Sequence, residues 1–456
     1  MKGCFFPLLI GVPLLACHAQ PRLMMTSVVP SSIFNATTPY FELTLGGDGA
    51  LYGSAPNGGA LENGSVFKIA TNGVVTTIPF DSVNGAGPLS SPIRGADGSI
   101  FGLATVGGTY NAGTLYHLGT NGVLSSIYSF DMTNASGPAA LILGKDGSFY
   151  GVTGHGGNGF TGVSYTGYGV AFHVTTNGAF TRLASFNDPS GFPNSIAEAN
   201  DGNFYGTTLQ GGVDGLGTVF RLTPAGDLST LYTFIGTNGA YPTSLILGSD
   251  GVLYGCTTQG GTDYVGPFSG SGTVYKITTN GDFTRLRAFS NTDGSQPKCR
   301  LLEVTNGLFY GITYVGGRNG NGNVFQISSN GVFASVLEFD NTNSKGGNPW
   351  TGLTRGVDGN YYGVNSTPNY SVYCLRPAVP PPFQSSVLAG QISFKWNAWG
   401  GLNYQLLYKT NLANTNWQIL AATDNVTNTV GSYSEPIDRN APRFYALRIS
   451  IQEDWW

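Results

Sequence analysis

One hexapeptide pattern constrains this chain more than anything else in it: Asp-Gly, two residues, aromatic-Gly. It reads DGALYG at 48, DGSIFG at 97, DGSFYG at 146, DGNFYG at 201, DGVLYG at 250, NGLFYG at 306 and DGNYYG at 358, seven copies spaced 49, 49, 55, 49, 56 and 52 residues apart. A period near fifty residues with several short strands in each unit indicates the blade of a β-propeller, because one such unit cannot bury its own faces and must stack on copies of itself.

Each unit divides into four strands. Strand a runs from a proline to the Asp-Gly, as in PTSLILGSDG, and the Asp-Gly suits a tight hairpin with a residue at positive φ. Strand b is the aromatic-Gly stretch, ending at Gly-Gly. Strand c is GTVFRLT and its relatives, and a second hairpin, usually Asn-Gly, leads to strand d. Composition agrees: 69 of 456 residues are Gly, with 27 Phe and 24 Tyr, while charged residues make up only 10%. Ordinary domains carry about 25% charged residues. Many glycines and aromatics with few Lys or Glu suit short strands and tight turns and suit helices badly.

Strand d closes on a phenylalanine at Phe34, Phe80, Phe130, Phe186, Phe234, Phe289 and Phe339. The first precedes any Asp-Gly anchor, so the chain opens with a spare strand d, TSVVPSSIF. The seventh unit has strands a, b and a c-like YSVYCLRP, then runs into AVPPP with no strand d. The spare piece at one end is the missing piece at the other, and closing the ring removes two exposed edges. The expected fold is therefore all-β: a seven-bladed β-propeller over residues 22–377, closed by the N-terminal strand, then a Pro-rich linker at 378–383 and a small β-sandwich at 384–452.

The repeat unit resembles the GloVer (Gloeo/Verruco) tandem-repeat family of exported bacterial proteins, over about residues 26–376. The resemblance implies a propeller and export; it carries over no catalytic residue. The seventh copy departs from the pattern, since YYGVNSTPNY lacks the Gly-Gly. The glycine pairs are similar to those of kelch blades. The segment 384–452, with GQISFKWNAW and NYQLLYKTNL, resembles fibronectin-type-III-like domains.

Residues 1–19 read as an export signal: Lys2 gives a positive start, an apolar stretch too short to span a bilayer follows, and small residues precede a cleavage point after Ala19. The rival reading is a lipoprotein signal in which Leu14–Cys17 is a lipobox and Cys17 is lipidated, placing the protein on an outer membrane. Either way the expected location is secreted or cell-surface, with no transmembrane segment. Of the cysteines beyond the signal, Cys256 and Cys299 fall on neighbouring repeats and are either bridged or buried as thiols. A net charge of −4 with scattered Lys and Arg lacks the basic footprint of nucleic-acid binding.

Two connections between strands b and c are lengthened, at 156–169 and 260–273. Long loops on a strict scaffold tend to carry function. These hold Phe160, Tyr165, Tyr168, Tyr264 and Phe268, which either bind a ligand by stacking or pin down their own loops. The Asp-Gly aspartates are read as turn residues, because the positions two before Asp48, Asp97, Asp146 and Asp250 are glycines and offer no calcium ligand. No metal or cofactor is expected. His117 and His173 occupy a strand-c slot held elsewhere by Lys, Arg or Gln and are read as exposed. If the protein is an enzyme, His155 with Glu198 and Glu303 is the candidate catalytic set. The leading expectation is an exported, monomeric, non-catalytic propeller binding an extracellular glycan or protein on its loop face. The alternatives are a polysaccharide hydrolase or lyase working at the channel mouth, and a structural surface protein.

Overall fold

The computed structural model describes residues 23–29, 42–163, 166–187, 191–341, 346–367 and 371–377, together with the strands between 384 and 451. The export signal, Cys17 and Phe34 lie outside the described residues. Every regular element described is a β-strand. The chain forms two compact units, one spanning Leu23–Arg376 and one that takes in the chain from Pro377 onward.

The first unit is a propeller of seven antiparallel sheets, each paired in the order a-b-c-d. Blade 1 is Thr44–Leu45, Leu51–Ala55, Ser65–Ile69 and Val75–Pro79; blade 3 is Ser136–Leu143, Phe149–His155, Val170–Val174 and Phe180–Ser185. Blade 7 takes Gly347–Pro349 and Thr354–Arg355 as its split strand a, then Tyr361–Thr367 and Ser371–Pro377. Its fourth strand is Leu23–Val29 from the other end of the chain, paired on Ser371–Pro377. The ring closes as expected, with the closing strand starting a few residues earlier than the TSVVPSSIF reading.

Burial follows strand order. Strand b is buried along its length in blades 2 and 4, strand c is buried except at its fourth position, and strand d is nowhere fully buried, with its second and third residues exposed. The aromatic-Gly motif has a packing cause. Gly53, Gly151, Gly255 and Gly363 sit directly across the b–c ladder from Phe67, Phe172, Tyr275 and Tyr373. A Cβ on any of these glycines would overlap the facing ring, and all four rings are fully buried. Glycine is there for space rather than for an unusual φ.

The core is a chain of clusters between neighbouring blades. Leu43, Leu51 and Phe67 of blade 1 pack on Val364 and Val372 of blade 7, so the seam is built like the other interfaces. The described strand-d phenylalanines, Phe80 to Phe339, are buried, and their N–H groups bond to the glycine ahead of strand c: Phe80 to Gly64 at 3.1 Å, Phe186 to Gly169 at 3.0 Å, Phe289 to Gly272 at 2.9 Å.

The second unit has two three-stranded antiparallel sheets, Gln384–Leu388 with Gln391–Asn397 and Val430–Pro436, and Gln418–Thr423 with Leu402–Lys409 and Phe444–Ile451. Ile392, Phe394 and Leu406 are buried.

Candidate functional site

Strand a of all seven blades lines a central channel of about 960 Å³. The wall is uneven because strand a has two lengths. Blades 3, 4 and 5 run in short form from proline to the hairpin, as in PTSLILGSDG, whereas blades 1, 2, 6 and 7 carry one more residue, as in PKCRLLEVTNG. In blades 2 and 6 a side chain fills the place of a missing a–b ladder acceptor. Ser90 Oγ accepts the Leu103 N–H at 3.1 Å in blade 2, and Cys299 Sγ accepts the Ile312 N–H at 3.1 Å in blade 6. Cys256, Cys299 and Cys374 are free and buried.

The additional residue projects into the channel as Glu42, Ser91, Arg300 and Gly352 in the four longer blades. Glu42 reaches across Gly352 to accept the Arg300 backbone N–H at 3.1 Å. A side chain at position 352 would collide with that carboxylate. Burial pushes the Glu42 carboxyl above its usual range; the Arg300 charge and the N–H groups of Arg300 and Gly352 pull it down without cancelling the rise.

At the loop-side mouth the wall is formed by the residues that follow each proline: Leu89, Ala139, Asn194, Thr243, Lys298 and Trp350. Lys298 Nζ lies 4.0 Å from the Tyr314 ring centre and 4.4 Å from that of Trp350, and the two rings meet edge to face at 5.0 Å. Burial lowers the Lys298 ammonium below its ordinary value.

The residue before each proline is unusual too. Phe192, Tyr241, Gln296 and Asn348 have φ of 61°, 55°, 54° and 51°, where Gly87 and Gly137 stand at 57° and 58° in blades 2 and 3. Bulky residues seldom adopt this conformation, and a following proline further disfavours departures from extended backbone. Their N–H groups bond to the preceding blade's b–c loop, as Tyr241 to Leu216 at 2.8 Å and Gln296 to Ser271 at 2.9 Å. The ring of inter-blade bonds holds the strained backbone and turns Phe192 and Tyr241 onto the loop face.

The predicted loop aromatics divide. Phe268 is 75% exposed and lies flat on Tyr241, ring centres 5.4 Å apart at 9°. Its neighbour Val265 is 90% exposed. Phe160 is half-buried on the first long loop. Tyr168 packs against Gly159 of its own loop and Gly191 of the d–a connection beside it, and Tyr264 against Gly236 of the neighbouring d–a connection. Tyr165 lies outside the described residues.

The candidate catalytic set is not brought together. His155 ends strand b of blade 3 on the loop side, opposite Ser136, with its ring edge-on to Phe192 at 5.8 Å and its pKa lowered by burial. Glu198 ends strand a of blade 4 at the hairpin side, where it accepts the Lys145 N–H at 2.8 Å. Glu303 likewise accepts the Ser249 N–H at 2.8 Å beside the Asp250 hairpin. Both glutamates tie one blade's hairpin to the next, at the opposite end of the channel from His155. The strand-c slot of His117 and His173 also needs correction: it is half-buried, with the imidazoles 4.8 Å from Phe101 and Tyr150.

The Gloeobacter/Verrucomicrobia repeat matches residues 24–165 and 161–373. The chain belongs to that family. No curated protein matches the sequence of this Gloeobacter/Verrucomicrobia repeat protein. Among solved structures, it is similar to the extracellular domain of a hybrid two-component system from B. thetaiotaomicron, at 9% identity and TM-score 0.52, covering 92% of this chain and 57% of that one. Puromycin hydrolase is similar at 14% identity and TM-score 0.51, covering 82% of this chain and 61% of its own. This chain thus spans less than two thirds of either protein, and at such identities the likeness shows the fold alone.

Proposed function

We propose that this repeat protein is an exported binding module that holds an extracellular glycan on the loop face of its propeller. The observation that carries the reading is the stack of Phe268 on Tyr241, an exposed ring on a lengthened loop over a ring held at positive φ. Backbone strain that the surrounding structure has to hold in place collects at functional sites. An exposed aromatic plate is the surface on which the apolar face of a sugar ring stacks. Export is supported by the charged, apolar and small-residue order of residues 1–19. The binding reading is also favoured over the enzymatic alternative by the placement of His155 at the loop end and of Glu198 and Glu303 at the hairpin end of the channel.

The test is retention of the purified mature protein on an array of bacterial and plant polysaccharides, with reducing and unsaturated ends assayed on the same samples. The expected result is retention without product and at least fivefold weaker binding of Phe268→Ala, equivalent to about 1 kcal/mol for one stacked ring. Release of product, or binding unchanged in Phe268→Ala, would overturn it.

A further inference from the structure

The channel mouth holds a feature that the loop-face reading does not use. Lys298 Nζ sits in the corner made by Tyr314 and Trp350 and lines the channel together with Trp350. Among the described residues it has no ion pair and no hydrogen-bond acceptor. Of the other charges lining the channel, Glu42 takes the Arg300 N–H and faces the Arg300 charge, while Glu198 and Glu303 lie at the far, hairpin end, bonded to Lys145 and to Ser249 and Gly307. The two ring faces offset part of the cost of burying the ammonium. Its three N–H donors reach no acceptor among the described residues.

The rest of the mouth narrows the partner. Asn194 donates to the Pro242 carbonyl at 2.8 Å and accepts from Thr207 at 2.8 Å, and Thr243 donates to the Cys256 carbonyl at 3.3 Å. Their polar atoms are already used, and Leu89, Ala139 and Trp350 supply apolar wall. One ammonium with apolar flanks suits a single carboxylate on a body that has C–H faces. A phosphate would call for several donors or a guanidinium fork. The channel, about 960 Å³, falls within the size of small-ligand sites and is too narrow for a folded partner.

We propose that the channel mouth is a second binding site, in which Lys298, backed by Tyr314 and Trp350, pairs with the carboxylate of an acidic saccharide such as a uronate at a chain end. Affinity depends on the charged ammonium, so it falls with rising pH, and burial places that fall below the range of an ordinary lysine.

Titration calorimetry on the full chain with a galacturonate trimer, its fully methyl-esterified form and a tripeptide with a free C-terminus tests this. The trimer should bind at least tenfold tighter than the ester and the tripeptide, and Lys298→Met should remove that preference while leaving the melting temperature within a few degrees. Lys298→Arg should restore part of it. Equal binding of acid and ester, a preference unchanged in Lys298→Met, stronger binding of the tripeptide, or no binding of the trimer would each overturn the proposal. The two readings can fail separately, because Phe268→Ala should leave the acid-over-ester ratio unchanged.

Discussion

The aspartate of most Asp-Gly turns accepts two bonds at once. In blade 3, Asp146 accepts the Ser148 N–H at 2.9 Å and the Tyr150 hydroxyl at 2.9 Å, and the following Gly147 has φ 81°. Asp201 and Tyr205, Asp250 and Tyr254, and Asp358 and Tyr362 repeat the hydroxyl bond, each at 2.7 Å. Asp and Tyr in this motif are therefore one device, a lock on the a–b hairpin. At Asp48, Asp146, Asp201 and Asp358 burial raises the pKa, but the hydrogen bonds outweigh it and the net direction is down; at Asp97 the Ser99 bond leads. Since these folded-state values lie below the ordinary 3.8, their stabilising effect is complete above that pH. It is lost as the pH falls through the folded values. The melting temperature should hold from neutrality to about pH 4 and drop below it, and Asp146→Ala should show a shallower drop from a lower plateau. Gly151→Ala tests the space argument: with Phe172 across the ladder, it should cost about 1–3 kcal/mol in denaturant unfolding.

At the scale of the element, strand a decides where chemistry can sit. The additional residue in blades 1, 2, 6 and 7 places Glu42 and Arg300 in the channel, while the short form keeps blades 3 to 5 as continuous strands such as Ala240–Leu247. The pre-proline residues are the second element-scale device. A left-handed φ costs an ordinary residue about 1–2 kcal/mol, and glycine avoids that at a smaller entropic cost. Gln296→Gly should therefore raise stability by up to about 1 kcal/mol, measured by urea unfolding, since Gln296 keeps its bonds to Ser271 and Tyr314 through the backbone. A loss of stability would mean that the Gln296 side chain packs well enough to repay the strain.

For the whole molecule, closure matters most. Residues 23–29 supply the outer strand of blade 7, and blade 7 in turn packs on blade 1 through Val364, Val372, Leu43 and Phe67. Deleting the chain through Val29 exposes Ser371–Pro377 as a free edge. The expected outcome is a lower melting temperature together with concentration-dependent association by light scattering. A truncated chain that melts at the same temperature and stays monomeric would show that the seam contributes little.

Much of this was legible in the chain itself. Seven anchors, the four-strand unit and the matching ends determine a closed propeller, because each is a local pattern repeated at a constant period. The turn role of the aspartates was legible for the same reason, since Asp-Gly recurs at the same place in the unit; their bond to the tyrosine four residues on was shown by the structure. Position in three dimensions was not. His155, Glu198 and Glu303 look equivalent as polar residues, yet one ends a strand b and the others belong to strand a, which puts them at opposite ends of the channel. For Tyr168 and Tyr264 the chain leaves stacking on a ligand and packing on a loop open, and only the fold shows the glycines they lie against. Lys298, Tyr314 and Trp350 carry no motif of their own, although the repeats aligned on their prolines put Lys298 and Trp350 in one ring around the mouth. Their meeting depends on how blade 6 packs on blade 7, and the distance between side chains on neighbouring blades is decided by inter-blade packing. A period along the chain carries no record of it.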